Sequence, residues 1–168
     1  LGEDPLAALH GAAHGQAVYA FSPFDEDARS HRWNPLTAVR SSPLHRVGDL
    51  LTIGQVFFSN DGSGTSSEAF FNDQARNLFL GLGLVLLETP SLPRTIGEML
   101  RQSSGKGQSL KDHLSGLITQ RREEASSTNP PLSDECSDAL QRLLSNSENT
   151  LSSVVATFHA PLTIFADA

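Results

Sequence analysis

The 168-residue chain has little cysteine and no excess of positive charge, and each shortage argues against a class of function. Cys136 is the single cysteine, so neither an internal disulfide nor a cysteine-based zinc site can form, which favours a reducing compartment. Twelve Lys and Arg residues stand against 19 Asp and Glu residues, a formal net charge of −7. This balance argues against general binding to a nucleic-acid backbone, which needs a positive surface, and is compatible with a cationic protein partner.

Long hydrophobic runs and catalytic motifs are also missing. The longest apolar run, Leu78 to Leu87, has about half of the roughly 20 residues that a membrane-spanning helix needs. The segment Gly105-Lys106-Gly107 lacks the Ser/Thr and the upstream glycine of a nucleotide-binding P-loop, so it is predicted to be a turn between helices. No serine lies in a Gly-x-Ser-x-Gly motif. We therefore expect no catalytic residue and no enzyme activity in this chain.

The histidines and the cysteine offer little for metal binding or nucleophilic catalysis. His10 and His14 have helical i, i+4 spacing, but no Glu lies between them, and an exposed segment is favoured over a metal site. His113 and His159 fall in helical segments and are expected to be surface or capping residues. Cys136 lies on an apolar stripe and is expected to be a small core residue. The sequence predicts no metal site.

From Ser42 onward the apolar residues recur with the 3.6-residue period of α-helices, which predicts an all-α bundle of about six to seven helices. Capping residues and a proline place helix starts near Pro43, Thr65, Thr95, Ser109, Ser133 and Ser147. The second helix is apolar on every side in its second half, so it is expected at the centre, with Gly81 and Gly83 allowing close approach by neighbours. The residues of the first two helices predicted to face inward are Val47, Leu50, Leu51, Phe58, Phe70, Phe71, Leu78, Phe79, Leu82, Leu86 and Leu87.

The first 40 residues have a different character. Residues 17–21 (AVYAF) have the pattern of a short buried strand, which is an orphan because a single strand cannot make a sheet. We therefore expect that the sheet to which it belongs is missing from this chain.

Charge is distributed unevenly along the helical part. From Arg94 to Arg122 there is a local excess of +4, and from Asp134 to Asp167 a local balance of −4. The two regions are either simply solvated or form a polarised docking surface. In the second case the candidate partner-binding residues are Arg101, Lys106, Lys111, Arg121, Arg122, Asp134, Glu135 and Asp138. The stretch 121–124 (RREE) also fits a salt-bridged helix end.

Several segments together resemble one family. Residues 30–36 (SHRWNPL) and 70–82 (FFNDQARNLFLGL) resemble motifs of type IV secretion coupling proteins, the TraG-like ATPases of conjugation and effector secretion. Further similar segments are residues 18–24, 87–90, 95–100, 145–150 and 160–167. The resemblance covers about Gly15 to Ala168 and leaves out residues 1–12.

The resemblance implies a place in a larger protein. Residues 41–160 would be its all-α substrate-recognition domain, with residues 1–40 and 161–168 flanking it from a nucleotide-binding motor domain. ATP and Mg are implied as cofactors of the full-length parent, whose P-loop and Mg-binding motif lie outside this chain, so no cofactor is expected here. The parent would be membrane-anchored, with this part on the cytoplasmic side of the bacterial inner membrane and not in contact with the membrane.

The resemblance also implies that the chain docks cargo. The implied partners are secretion-signal domains of effectors, including antibacterial toxins in some systems, or of relaxosome proteins, and other components of the type IV secretion machine. The loops at residues 59–66 and 129–131 are plausible rims of a docking surface. Two alternatives stay open: a DNA-contacting module for single-strand transfer, favoured slightly by the basic excess, and a structural module of the coupling-protein ring. Salt-sensitive binding to single-stranded DNA would favour the first, and oligomerisation alone the second.

Overall fold

The computed structural model describes residues 33–60, 62 and 64–166, and throughout this part of the chain the regular structure is helical. The α-helices are α1 Pro43–Phe57, α2 Ser66–Glu88, α3 Ile96–Ser103, α4 Leu110–Glu123, α5 Asp134–Leu144 and α6 Glu148–Leu162. Short 3-10 helices cover Pro35–Ala38, Gly105–Gly107 and Thr163–Phe165. The predicted all-α bundle is confirmed, whereas the predicted strand at residues 17–21 lies outside the described residues. Residues 35–168 form one compact unit, distinct from residues 1–34.

Side-chain caps explain where five of the helices begin. At each of these starts a Ser or Thr oxygen accepts a hydrogen bond from the backbone N–H three residues later, which satisfies a group that has no partner within the helix. The capping residues are Thr65, Thr95, Ser109, Ser133 and Ser147. In α2 the cap is reciprocal, because the Glu68 carboxylate also accepts from the Thr65 backbone N–H. The predicted helix starts are confirmed.

Helix α2 lies at the centre of the bundle, as predicted. Every residue from Leu78 to Leu86 is buried, and α2 packs against α1, α3, α5 and α6. A Cβ atom added to Gly81 would lie 2.8 Å from Cδ2 of Leu140 in α5, and one added to Gly83 would lie 2.6 Å from Cδ2 of Leu50 in α1. The two glycines therefore allow α5 and α1 to approach α2 closely.

Phenylalanine rings join α2 to the first and last helices. Phe58, which follows α1, stacks on Phe158 of α6 with 5.7 Å between ring centroids. Phe79 of α2 lies 6.2 Å from the first ring and 6.5 Å from the second. All three rings are buried, so this cluster fixes the spacing of α1, α2 and α6.

Two of the predicted inward-facing residues do not face inward. Leu51 is 42% exposed, because it lies about 100° around α1 from its neighbour Leu50, and only Leu50 can point at α2. Phe70 is 43% exposed, because it lies in the first part of α2, before the buried stretch, and its ring contacts Phe71. Among the described residues, no helix is long and apolar enough to cross a bilayer.

Candidate docking groove

A groove of about 710 Å³ runs alongside α4. Its other walls are the C-terminal end of α2 with the residues that follow it, the turn between α3 and α4, and the loop of residues 124–132. Asn129, in one of the two loops predicted as rims, is part of the lining. The lining mixes apolar side chains such as Val85 and Leu117 with polar ones, a combination that is common in ligand-binding clefts.

A chain of buried hydrogen bonds leads into the groove from α3. Gln102 Nε2 donates to Glu98 Oε1 at 2.6 Å, and Gln102 Oε1 lies 2.7 Å from His113 Nε2. Because a carboxylate accepts only, Gln102 presents its oxygen to His113, whose Nε2 therefore carries a proton. Burial, and then the positive charge of Lys106, lower the pKa of His113. The prediction that His113 is a surface or capping residue is wrong, because its side chain packs under the groove and is only 8% exposed.

Glu98 organises the charges at this end of the groove. Its carboxylate is buried and accepts hydrogen bonds from Arg101 Nε at 2.8 Å and from Gln102, whereas Lys106 Nζ lies 3.6 Å from Oε1. Burial alone would raise the pKa of Glu98, but the hydrogen bonds from Arg101 and Gln102 and the positive charges of Arg101 and Lys106 outweigh burial and lower it. The lysine is the loosest of these three partners.

Lys106 is held in an unusual backbone conformation. Gly105, Lys106 and Gly107 have φ values of 73°, 50° and 92°, so all three lie in the left-handed region. The predicted turn between helices is confirmed. A residue with a Cβ atom adopts this region at a cost of roughly 1–2 kcal/mol, whereas glycine adopts it freely. The turn places Lys106 in the lining of the groove with its side chain 45% exposed.

Arg121 braces the opposite end of the groove. Its guanidinium donates to Thr89 Oγ1 at 2.8 Å, to the Glu88 carbonyl at 2.8 Å and to the Pro130 carbonyl at 3.0 Å. The residue is only 8% exposed, so these donors are committed within the chain, to the end of α2 and to the loop before α5. Arg121 thus has a structural place in the groove wall, and its neighbour Arg122 is exposed.

The structure does not bring the eight candidate partner-binding residues into one site. Lys106 and Arg121 line the groove, whereas Arg101 is not part of the lining and pairs with Glu98. Lys111 is half-buried, with Nζ donating to the Asn146 carbonyl at 3.3 Å. The acidic candidates Asp134, Glu135 and Asp138 are exposed at the start of α5, where Glu135 lies 3.6 Å from the guanidinium of Arg46.

Sequence reasoning missed several residues that line the groove, namely Gln102, Gln108, His113, Gly116, Gln120, Glu123 and Glu124. One signal was present, since Glu98 and Gln102 have the i, i+4 spacing that lets two side chains meet on a helix. The second partner of Gln102, His113, lies on α4, so no pattern within α3 could reveal it.

Glu88 joins three helices next to the groove. Its carboxylate accepts from the Ser133 backbone N–H at 2.9 Å and the Ser133 hydroxyl at 2.6 Å, and it pairs with Arg46 at 3.1 Å. The end of α2 is thereby tied to α1 and to the start of α5. The segment 87–90, one of those that suggested the family, thus holds the bundle together.

The motif at residues 70–82 is also structural. Asn72 Nδ2 donates to the Ser59 carbonyl at 3.2 Å, and Gln74 Oε1 accepts from Asn146 at 3.3 Å. Arg76 bonds to Asp73 and to Gln55 of α1. Each of these polar side chains fixes a different neighbouring segment against α2.

A second recess, of about 370 Å³, lies at the other predicted rim. It is lined by Asn60 and Gly62 of the loop, by Phe71 and Asn72 of α2 and by Thr157 of α6. Asn60 and Asn72 are hydrogen-bonded to each other at 3.0 Å, so their amides already have a partner within the recess. The recess is smaller than the groove along α4 and has no comparable arrangement of charge.

Possible nucleophiles and metal ligands are engaged elsewhere. Ser103 Oγ lies 2.8 Å from His159 Nε2, but Ser103 is 1% exposed and donates to the Leu100 carbonyl. His159 is half-buried and paired with Ser103, so only part of its side chain is at the surface, where it was predicted. Burial lowers the pKa of His159. Cys136 is fully buried, as predicted, and burial raises the pKa of its thiol. Within residues 33–60, 62 and 64–166 no group of three His, Cys, Asp or Glu side chains could hold a metal ion; His10 and His14 lie outside this part.

Comparison with protein families shows that the chain matches the family model described as type IV secretory system conjugative DNA transfer. The match covers residues 5–168. It confirms the resemblance carried by residues 30–36 and 70–82. The expectation that residues 1–12 lie outside the family is wrong for residues 5–12, which the match includes. No curated protein and no solved structure matches the chain.

Proposed function

Because the chain belongs to the type IV secretory system conjugative DNA transfer family, we propose that it is the cargo-docking domain of a coupling protein. In this role it binds secretion-signal domains of effectors, antibacterial toxins among them, or of relaxosome proteins, and recruits them to the other components of the secretion machine. It acts on the cytoplasmic side of the inner membrane and performs no catalytic step itself. ATP hydrolysis, with Mg, belongs to the motor domain of the parent protein.

The groove along α4 is the observation that carries this proposal. Its walls are fixed before any partner arrives, because Arg121 ties the α2 end to the loop before α5 and Gln102 of α3 is hydrogen-bonded to His113 of α4. A surface that is already ordered loses little conformational entropy on binding, which favours affinity. A preformed groove with polar residues between apolar ones therefore suits a docking site.

A DNA-contacting module is the second candidate, since the family is described by conjugative DNA transfer. The position of the basic residues argues against it. Arg121 is buried, Arg101 pairs with Glu98, and Lys111 donates to a backbone carbonyl, which leaves the loosely held Lys106 as a single cation at one end of the groove. The basic excess of the sequence therefore does not form an open row of cations along which a phosphate backbone could bind.

The test is an NMR titration of the labelled chain with a secretion-signal domain encoded near it, with a single-stranded 20-mer DNA as the parallel titrant. We expect the signal domain to shift the amide resonances of groove residues such as Gln108, Gly116 and Asn129, and the DNA to leave them unchanged. Shifts with DNA alone would favour strand handling, and no shift with either would leave a structural module.

A pair of glycine variants makes the mapping specific. Gly116 lines the groove, and a Cβ atom added there would meet no atom within 4 Å, so Gly116→Gln fills the groove without disturbing the core. Gly48 is equally unobstructed but lies on α1, outside the groove, which makes Gly48→Gln the matched control. We expect the first variant to weaken binding of the signal domain at least about tenfold, equivalent to about 1.4 kcal/mol, and the second to have no effect. Equal affinities for both variants would show that the groove is not the docking site.

A further inference from the structure

The dimensions of the groove suit an extended peptide. Helix α4 has 14 residues, and its groove-facing stripe runs from His113 through Leu117 and Gln120 to the end of the helix. At 1.5 Å per residue the helix is about 20 Å long. An extended chain rises about 3.3 Å per residue, so about six residues of a peptide would lie along this wall.

Charge of opposite sign lines the two ends of the groove. Lys106 lies at the α4 start, where a Cβ atom added to Gly105 would be 3.2 Å from the Leu110 backbone nitrogen. Glu123 and Glu124 lie at the other end, after a middle section with uncharged residues such as Gln120. The helix dipole has the same direction, with its positive end near the lysine and its negative end near the two glutamates.

The other charges of α4 do not cancel this polarity in the groove. Asp112 is in the first turn of the helix and Arg122 in the last, but neither lines the groove. Arg121 does line it, with its guanidinium bound by the carbonyls of Glu88 and Pro130. An occupant would therefore meet a cation at one end and, at the other, two carboxylates beside a guanidinium whose donors are already engaged.

Lys106 contributes little to the structure at its position. The oxygens of Glu98 are held at 2.6–2.8 Å by Arg101 and Gln102, and the lysine ammonium lies farther away, at 3.6 Å. Its backbone conformation would cost less with glycine, the residue found on both sides of it. Unfavourable backbone conformations of this kind are found preferentially where a side chain has a function.

We propose that the groove binds an extended peptide of about six residues from the cargo, with an acidic side chain at the Lys106 end and a basic side chain at the Glu123–Glu124 end. The inference rests on the proposed docking function and adds to it the chemistry and the orientation of the bound segment. The ammonium of Lys106 binds the peptide carboxylate, and the two glutamates bind the basic side chain. The uncharged residues between them contact the middle of the peptide.

The experiment is a selection of displayed random heptapeptides, flanked by Gly-Ser linkers, on the immobilised full chain. We expect enrichment of peptides with Asp or Glu at one terminus and Lys or Arg at the other, always in the same order along the peptide. Lys106→Gly keeps the left-handed turn and removes the ammonium. It should therefore abolish the preference for an acidic residue and lower the affinity for an enriched peptide at least about tenfold. The double variant Glu123→Gln, Glu124→Gln should abolish the basic preference instead.

Lys111→Gln is the matched control, because this lysine lies in the first turn of α4, close in sequence to Lys106, but donates to the Asn146 carbonyl and does not line the groove. It should leave both preferences unchanged, and thermal unfolding should show every variant to be folded. Enrichment without a charge order, no enrichment at all, or an unchanged preference in Lys106→Gly would overturn the inference. If the signal domain still binds at Gly116 in the titration while the peptides show no charge order, docking stands and only the proposed peptide chemistry fails.

Discussion

Replacing the glycine hydrogen of Gly83 with a methyl group tests how tightly α1 packs on α2. In Gly83→Ala the new Cβ would lie 2.6 Å from Cδ2 of Leu50, 3.0 Å from Cδ1 and 3.3 Å from Cγ. Favourable carbon–carbon contacts lie near 3.5–4.0 Å. Because both methyl groups and the branching carbon are too close, rotation of the Leu50 side chain cannot relieve the overlap. Leu50 is 1% exposed, so it has no space into which to move.

The magnitude follows from two opposing effects. Alanine stabilises a helix interior by about 1 kcal/mol relative to glycine. Overpacking a core costs about 1–3 kcal/mol, and three close contacts put Gly83→Ala in the upper part of that range, for a net loss of about 1–2 kcal/mol. At Gly81 only one terminal methyl, Cδ2 of Leu140, lies within 3.0 Å, so Gly81→Ala should be near neutral. Gly48→Ala meets no atom within 4 Å and should gain about 0.5–1 kcal/mol.

Urea unfolding followed by far-UV circular dichroism measures these differences, provided that the m-value stays constant. We expect Gly83→Ala to be the least stable variant and Gly48→Ala the most stable. A Leu50→Ala background supplies the internal control, because removing the leucine side chain should make Gly83→Ala stabilising. Equal stability of Gly83→Ala and Gly48→Ala in the original background would refute the packing of α1 on α2 described above.

Three further predictions concern the polar groups around the groove. Arg121→Leu leaves the Glu88 and Pro130 carbonyls without their donor, so it should lower the free energy of unfolding by about 2–4 kcal/mol. The exposed Arg122→Leu should lower it by less than about 0.5 kcal/mol. Equal urea midpoints for the two variants would contradict the structural role given to Arg121. Glu88→Gln weakens the acceptor for the α5 cap and leaves the half-buried Arg46 with only the more distant carboxylate of Glu135. Thermal unfolding should show a loss of about 2–4 kcal/mol, and a wild-type melting temperature would contradict this role. Burial lowers the pKa values of His113 and His159, so the unfolded chain takes up more protons than the folded chain, and stability should fall as the pH drops below about 6.5 towards the folded-state pKa values. The double variant His113→Gln, His159→Gln should lose this pH dependence in urea titrations from pH 7 to 5. An unchanged pH dependence would rule out these histidines as its source.

The sequence predicted the helices well because their determinants are local. A capping serine or threonine needs only the N–H three residues later, and the apolar stripe needs only its own periodicity. Periodicity sets the angle between neighbouring residues but does not choose between two similar neighbours. Leu50 and Leu51 were both predicted to face inward, and Arg121 and Arg122 were both candidates for a partner. The choice in each pair was made by the packing of another helix.

The groove was less predictable, because it depends on segments that are distant in sequence. His113 meets Gln102 only because the left-handed turn at Gly105–Gly107 sets α4 beside α3, and two of those residues are glycines whose φ values no pattern reveals. The open space beside α4 depends on the absence of a side chain at Gly116 and on the path of the loop to α5. Similarly, the local charge of +4 between Arg94 and Arg122 counts basic residues but does not show that most of them have partners within the fold.

The central position of α2 has a consequence for biosynthesis. The stretch Leu78–Leu86 is synthesised before α5 and α6, which are among the helices that cover it and which end at Leu144 and Leu162. At roughly 5–20 residues per second, the 75 or so residues from there to the end of α6 take about 4–15 s to make. During that interval the most apolar part of the nascent chain is only partly covered, by contacts with α1 and α3. A chaperone that holds apolar segments should therefore bind ribosome-attached chains that stop before α5 and release those that include α6.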